Sequence, residues 1–131
     1  MSTRRDPRVH LLDALDAAQA IQAFVIGRTE EDYGRDRLLR SAVDREFEVV
    51  GEALNRLRRD DAAVAARIPD LAQIVAFRNV LIHGYDIVDR SAVWKAIEVE
   101  IPPLVASISS LLDELDAAKG PANDGGDRPP A

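Results

Sequence analysis

Apolar residues recur every three or four positions along almost the whole chain, and this spacing restricts it to packed helices. The stretch at residues 9–26 carries Leu11, Ala14, Leu15, Ala18, Ile21 and Val25. The stretch at residues 36–59 carries Leu39, Val43, Phe47, Val50, Leu54 and Leu57. No segment alternates apolar and polar residues convincingly with the period of two that is typical of a strand. We therefore predict an all-α fold.

Glycine and proline divide this pattern into separate helices. Gly27 ends the first helix, and the acidic turn at residues 29–32 precedes the second. A short alanine-rich segment follows at residues 61–67, and Pro69 separates it from a helix over about residues 70–82, which Gly84 ends. Together with a last long helix, these segments predict a four- to five-helix bundle with up-and-down connections.

The last helix begins near Asp89 or Ser91, and Pro102-Pro103 should kink or split it. Its apolar seam consists of Trp94, Ile97, Ile101, Leu104, Ile108, Leu111 and Leu115. The near-heptad seams of both long helices either pack inside the bundle or present part of one helix to a partner chain. From Lys119 the chain lacks a hydrophobic anchor, so we predict one helical domain over residues 1–118 and a disordered tail over 119–131.

Composition excludes several classes of site. The chain of 131 residues contains no cysteine, and its two histidines, His10 and His83, are too few for a histidine-rich metal site. No apolar run reaches the roughly 20 residues of a membrane span, and the N-terminus does not resemble a signal peptide. We expect a cytoplasmic protein without a cofactor, in which His10 lies at the surface.

The net charge of −6 argues against a broad electrostatic surface for nucleic acid. Two basic clusters, at residues 35–40 and 56–59, are typical of solvated helix faces balanced by nearby acids. An RNA-cleaving protein of this composition would need a concentrated site.

The segment at residues 77–89 carries the polar groups best suited to such a site. Arg78 falls on the apolar side of its helix, where an unpaired charge is costly, so it must meet an acid or a ligand anion. His83 can exchange a proton near neutral pH, and Arg78 can hold a phosphate. The two point at one site only if the helix ends or distorts, which Gly84 permits. The structural alternative is a capping histidine and an arginine paired with a local carboxylate.

These residues resemble the R-x4-H-x-Y signature of HepT toxins in the HEPN superfamily, with Arg78, His83 and Tyr85 in the matching positions. Residues 50–57 resemble the family's I-G-E-A-A-x-R-L segment. Ile68-Pro69 resembles its I-P-W, although Asp70 replaces the tryptophan, and residues 88–94 resemble the opening of its last helix. The similarity covers roughly residues 9–116.

The resemblance implies a metal-independent endoribonuclease toxin with Arg78 and His83 as catalytic residues. Asn79 would anchor a phosphate or the backbone, and Glu52 would orient Arg78, unless Glu52 is an ordinary solvent-facing acid. Tyr85 would be the residue to which an MntA-like nucleotidyltransferase antitoxin attaches AMP, unless its ring only packs over the end of the bundle.

Metal-free RNA cleavage needs both a base and an acid, and one motif offers a single histidine. We therefore expect a homodimer, or a higher oligomer, with two motifs facing one cleft. Two alternatives stay open. One is a non-catalytic module that binds nucleotide or RNA or serves as an adaptor for a nucleotidyltransferase. The other is a purely structural helical dimer.

Overall fold

The computed structural model describes residues 6–82 and 90–127, which form helices and the turns between them. The helices are α1 (Pro7–Phe24), α2 (Glu30–Arg35), α3 (Arg37–Asp60), α4 (Ala62–Ala65), α5 (Leu71–Ile82), α6 (Arg90–Lys95) and α7 (Ile101–Asp127). A π-helical turn, Ala96–Glu100, joins α6 directly to α7. The described residues contain no strand, and the predicted all-α fold is confirmed.

Short polar side chains begin the first four helices. Asp6 accepts a hydrogen bond from the backbone N–H of Arg8 and precedes a proline in the first turn of α1. Thr29 and Asp32 form a reciprocal capping box on α2. Asp36 and Asp61 cap α3 and α4 in the same way. These oxygens bind N–H groups that have no partner within the helix, and they explain why each helix begins where it does.

Helix α3 lies between α1 and α5, and α1 also packs against α7. His10 near the start of α1 contacts Asp60 at the end of α3, so these two helices are antiparallel. Arg8 likewise contacts Asp116 late in α7, so α1 and α7 are also antiparallel. These contacts agree with the up-and-down connections expected from the sequence.

The apolar seams of α3 and of the last helix pack inside this bundle. Every residue predicted for the α3 seam is buried, and so is the seam of the last helix from Trp94 to Leu111, with Leu115 partly buried. The interpretation as interior packing is therefore confirmed for these residues. A surface for a partner chain has to lie elsewhere.

The last helix is not split at Pro102-Pro103. The irregularity is the π-helical turn that ends just before the two prolines, in which the Ile101 N–H donates to the Ala96 carbonyl five residues earlier. A proline ring clashes with the carbonyl four residues before it, and a wider turn relieves that clash without breaking the helix.

The backbone of α7 continues to Asp127, beyond Lys119, where the sequence predicts a tail to begin. The boundary between domain and tail stays a prediction. Within residues 6–82 and 90–127, no helix combines the length and apolar composition that crossing a bilayer requires. The cytoplasmic location also stays a prediction.

Candidate functional site

The stem of Arg78 lies directly on the backbone of α3 because residue 51 is a glycine. A Cβ at Gly51 would clash with Arg78 Cβ and would lie 2.7 Å from its Cδ and 2.9 Å from its Cγ. Any larger residue would separate α5 from α3 at this point. Gly51 thus fixes where the arginine leaves α5 and where its guanidinium ends.

The guanidinium of Arg78 meets the carboxylate of Glu52, the next residue of α3. Arg78 Nη2 lies 2.8 Å from Glu52 Oε1, and the arginine side chain is 23% exposed. A longer hydrogen bond of 3.4 Å joins Arg78 Nη1 to Oδ1 of the exposed Asn79. The half-buried arginine therefore has the acidic partner that its position on an apolar helix face requires.

Glu52 is shared between two arginines. Its Oε2 accepts a hydrogen bond of 2.9 Å from Arg56 Nε, one turn further along α3.

Arg78 Nε has a different environment, since it is buried and has no hydrogen-bond partner. It is the sole buried side-chain nitrogen or oxygen in that condition in the part of the chain that the structure describes. A buried N–H without a partner costs free energy unless a ligand binds it.

These side chains line a cleft of about 340 Å³ between α1, α3 and α5. Its charged and titratable residues include His10, Asp13, Arg45, Glu52, Arg56 and Arg78. Glu48 lines it as well, so three carboxylates face three arginines, and the cleft is a confined mixed-charge site and not part of a basic surface. A net charge of −6 argues against a broad basic surface for RNA, and a small cleft that gathers several arginines is the kind of site that such a chain can still offer.

His10 also lines this cleft, and the expectation that it lies at the surface is wrong. Its side chain is 3% exposed, and its Nε2 lies 2.8 Å from Asp60 Oδ2. The hydrogen bond with His10 and the nearby Arg59 hold the pKa of the Asp60 carboxyl below its usual value. The sequence did contain a signal, because His10 lies one helical turn before the buried Ala14 and thus on the buried face of α1.

The other residues singled out by the sequence are only partly placed. Asn79 and Glu52 lie beside Arg78, whereas His83 and Tyr85 lie outside the described residues. The convergence of Arg78 and His83 on one site therefore stays a prediction. Among the described residues, no group of three or more acids and histidines is arranged to hold a metal ion.

Comparison with protein families places this cleft in a wider context. The model of the family described as HepT-like ribonucleases matches residues 14–111, which include Gly51, Glu52, Arg56 and Arg78. No solved structure matches the chain.

Individual relatives carry related names. “Gamma-glutamylcyclotransferase and putative RNase MJ0434” of Methanocaldococcus jannaschii is 29% identical over 116 residues, which are 88% of this chain and 52% of that protein. The chain thus spans about half the length of this relative. “Putative RNase MJ1380” of the same organism is 28% identical over 102 residues, 78% of this chain and 93% of the relative. “Probable ribonuclease HepT” of Thermococcus cleftensis is 30% identical over 108 residues, 82% of this chain and 97% of the relative.

Proposed function

The chain belongs to the HepT-like ribonuclease family, and we propose that it is the toxin of a toxin–antitoxin pair that cleaves RNA at the cleft around Arg78. The observation that carries this proposal is the state of Arg78. Its guanidinium is positioned by Glu52, while its buried Nε still has an unused donor. A phosphate oxygen is the kind of acceptor that such a donor binds strongly.

The proposed reaction is metal-independent and uses the nucleophile that RNA itself carries. The ribose 2′-oxygen attacks the adjacent phosphorus while a base removes its proton, the bond from phosphorus to the 5′-oxygen breaks, and an acid protonates that oxygen. The products are a 2′,3′-cyclic phosphate and a 5′-hydroxyl. His83 exchanges protons in this scheme, and Arg78 stabilises the negative charge that grows on the phosphate.

Glu52 and Asn79 support Arg78 in this account. The Glu52 carboxylate holds the guanidinium at Nη2, while the buried Nε has no hydrogen-bond partner. Asn79 contacts Arg78 Nη1 and is exposed, so its amide can also bind a phosphate or the RNA backbone.

We propose a homodimer as the active species, on the strength of the family resemblance. One R-x4-H-x-Y motif supplies a single histidine, and the buried His10, which lines the Arg78 cleft, is already bonded to Asp60. Analytical ultracentrifugation at assay concentrations tests the dimer. A fully active monomer would rule it out.

Neutralisation is proposed to act on Tyr85 through a nucleotidyltransferase antitoxin that attaches AMP from ATP. The added phosphate would pair with Arg78 as substrate phosphate does, and its charge would repel RNA. Tyr85→Phe should then cleave RNA normally but escape neutralisation. Intact mass after incubation with the antitoxin, ATP and magnesium tests this assignment. An equal gain of AMP by the wild type and by Tyr85→Phe would place the modification elsewhere.

Toxicity and RNA cleavage in EDTA test the whole proposal. His83→Ala and Arg78→Ala should each remove growth inhibition and lower the cleavage rate about 10²- to 10⁴-fold, with an unchanged helical circular dichroism spectrum. Arg58→Ala is the matched control, because Arg58 lies on the same helix as Glu52 and hydrogen-bonds Asn55 instead. Either alanine variant remaining as toxic as the wild type at equal expression would refute the assignment.

The balanced positive and negative charges of the cleft favour one second candidate, a module that binds RNA or nucleotide without cleaving it. Such a protein would retard RNA in a gel shift and leave it intact over the same incubation. The wild-type cleavage assay in EDTA separates the two functions.

A further inference from the structure

The carboxylate of Glu52 binds two guanidinium groups at once. Its Oε1 lies 2.8 Å from Arg78 Nη2 and its Oε2 lies 2.9 Å from Arg56 Nε. Both oxygens are thus engaged, each by a different guanidinium. One carboxylate thus serves two arginines, and a phosphate in the cleft would supply further acceptors for their remaining N–H donors.

Arg56 still has donors to offer. The contact with Glu52 uses its Nε, whereas a guanidinium carries five N–H donors in all. Its side chain is 50% exposed and lines the cleft that also contains Arg78. The terminal Nη groups of Arg56 are therefore the part of that side chain that incoming substrate can reach.

Arg56 differs in this respect from its neighbours on α3. Arg58 hydrogen-bonds Asn55 and Arg59 pairs with Asp60, and neither belongs to the lining of the cleft. Residues 49, 52, 53 and 56, by contrast, all line it, at the spacing of one helix face. The cluster at residues 56–59 is therefore not one uniform solvated face.

We propose that Arg56 is a second phosphate-binding residue of this cleft, so that a single chain holds RNA with two arginines that Glu52 positions together. Arg56 offers its exposed Nη groups beside the Arg78 guanidinium, and the phosphates bind between or beside the two side chains. This inference rests on the proposed ribonuclease function, and it names the residue that strengthens substrate binding.

Binding of an uncleavable RNA tests the role of Arg56 separately from catalysis. A fluorescein-labelled single-stranded RNA with 2′-O-methyl groups throughout lacks the attacking hydroxyl, and anisotropy gives its affinity at several salt concentrations. Arg56→Ala should weaken binding about 10- to 100-fold. It should also reduce the slope of log affinity against log salt by about 0.7, the value for one lost phosphate contact on a single strand. Arg56→Lys should keep the slope and lose part of the affinity.

A double-mutant cycle separates direct binding from an effect passed through Glu52. If Arg56 only positioned Glu52, Arg56→Ala would have no further effect on affinity in a Glu52→Gln background. We expect the loss of affinity and the reduced salt slope to persist there. Arg58→Ala is the control and should match the wild type in affinity and slope.

The outcomes distinguish this inference from the function on which it rests. Equal affinity and salt slope for Arg56→Ala and the wild type, with Arg78→Ala still impaired, would overturn the role of Arg56 and leave the proposed function standing. A wild-type chain that neither binds the probe nor cleaves RNA would overturn both. Circular dichroism confirms that each variant is folded.

Discussion

Helix α3 holds a polar side chain of a neighbouring helix at two places, and the two contacts are built differently. Near its start, Tyr33 of α2 is 1% exposed, donates a hydrogen bond of 2.5 Å to Asp44, and packs its ring 6.3 Å from that of Trp94. Further along α3, Arg78 of α5 is 23% exposed, shares its acid with Arg56, and leaves Nε without a partner. The first contact is complete, and the second has bonding capacity left over.

The difference agrees with the proposal that the Tyr33 contact serves the fold and the Arg78 contact serves RNA cleavage. Burial and the hydrogen bond with Asp44 raise the pKa of Tyr33 above its usual range, and burial raises the pKa of Asp44. Tyr33 therefore stays a neutral donor and fastens α2 to α3. An orphaned buried donor such as Arg78 Nε costs about 1–3 kcal/mol, a cost that substrate binding can offset.

Replacing a glycine with alanine in each region should give the largest difference between the two contacts, in both stability and cleavage rate. Gly51→Ala forces its Cβ against the Arg78 stem, so we expect a loss of about 1–3 kcal/mol of stability and at least a tenfold slower cleavage. At Gly34 the new Cβ would meet the far end of Arg90, a flexible side chain that can swing away. Because alanine favours helix by up to about 1 kcal/mol over glycine, Gly34→Ala should be neutral or stabilising.

Urea unfolding and RNA cleavage of both glycine variants measure this contrast. Equal stability and activity for Gly51→Ala and the wild type would show that α5 does not need its close approach to α3. The position of the Arg78 guanidinium would then not depend on Gly51.

Removing the Tyr33 hydroxyl should cost stability and leave activity intact. Tyr33→Phe leaves the partly buried Asp44 without its donor, and we expect a loss of about 1–3 kcal/mol in urea unfolding. The rate of RNA cleavage, measured at a temperature where both proteins are folded, should match the wild type. Asp44→Asn keeps an acceptor for Tyr33 and should cost less. A cleavage rate that falls with the Tyr33 hydroxyl would mean that the α2 contact also serves the site.

The smallest predicted effect concerns Asp60 and how stability falls at acidic pH. The hydrogen bond with His10 keeps the pKa of Asp60 lower in the folded chain than in the unfolded chain, where it is about 3.9. Its contribution is therefore present above about pH 4 and is lost as the pH falls through the folded-state pKa. Asp60→Asn should have a lower free energy of unfolding than the wild type at pH 6. Its free energy of unfolding should also fall less than that of the wild type between pH 6 and pH 3. Parallel stability curves for the two proteins would contradict this assignment.

Local signals in the sequence predict most of the fold. The period of the apolar residues gives the long helices, and Asp36 and Pro69 mark where helices begin or cannot continue. The acidic turn predicted at residues 29–32 is instead the start of helix α2. The need of Arg78 for an acid also follows from its place on an apolar face. These predictions succeed because each depends on residues within a few helical turns.

The geometry of the cleft depends on contacts between helices and was not predictable in this way. The close approach at Gly51 requires the packing of α5 on α3, and the pairing of His10 with Asp60 joins residues 50 positions apart. The sharing of Glu52 by Arg56 and Arg78 likewise appears only once α3 and α5 are packed together. The π-helical turn before Pro102 was predicted as a kink or a break for a different, local reason, because a wider turn can relieve the proline clash without either.

We propose as the central claim that the ribonuclease site is the contact of Arg78 with Glu52, and not the contact of Tyr33 with Asp44. Single-turnover cleavage of RNA in excess EDTA by the wild type, Arg78→Ala and Tyr33→Phe tests it most directly, with urea stability measured on the same preparations. The account predicts that Arg78→Ala lowers the rate about 10²- to 10⁴-fold at near-normal stability, whereas Tyr33→Phe lowers stability at a normal rate. Wild-type cleavage rates in Arg78→Ala would contradict it.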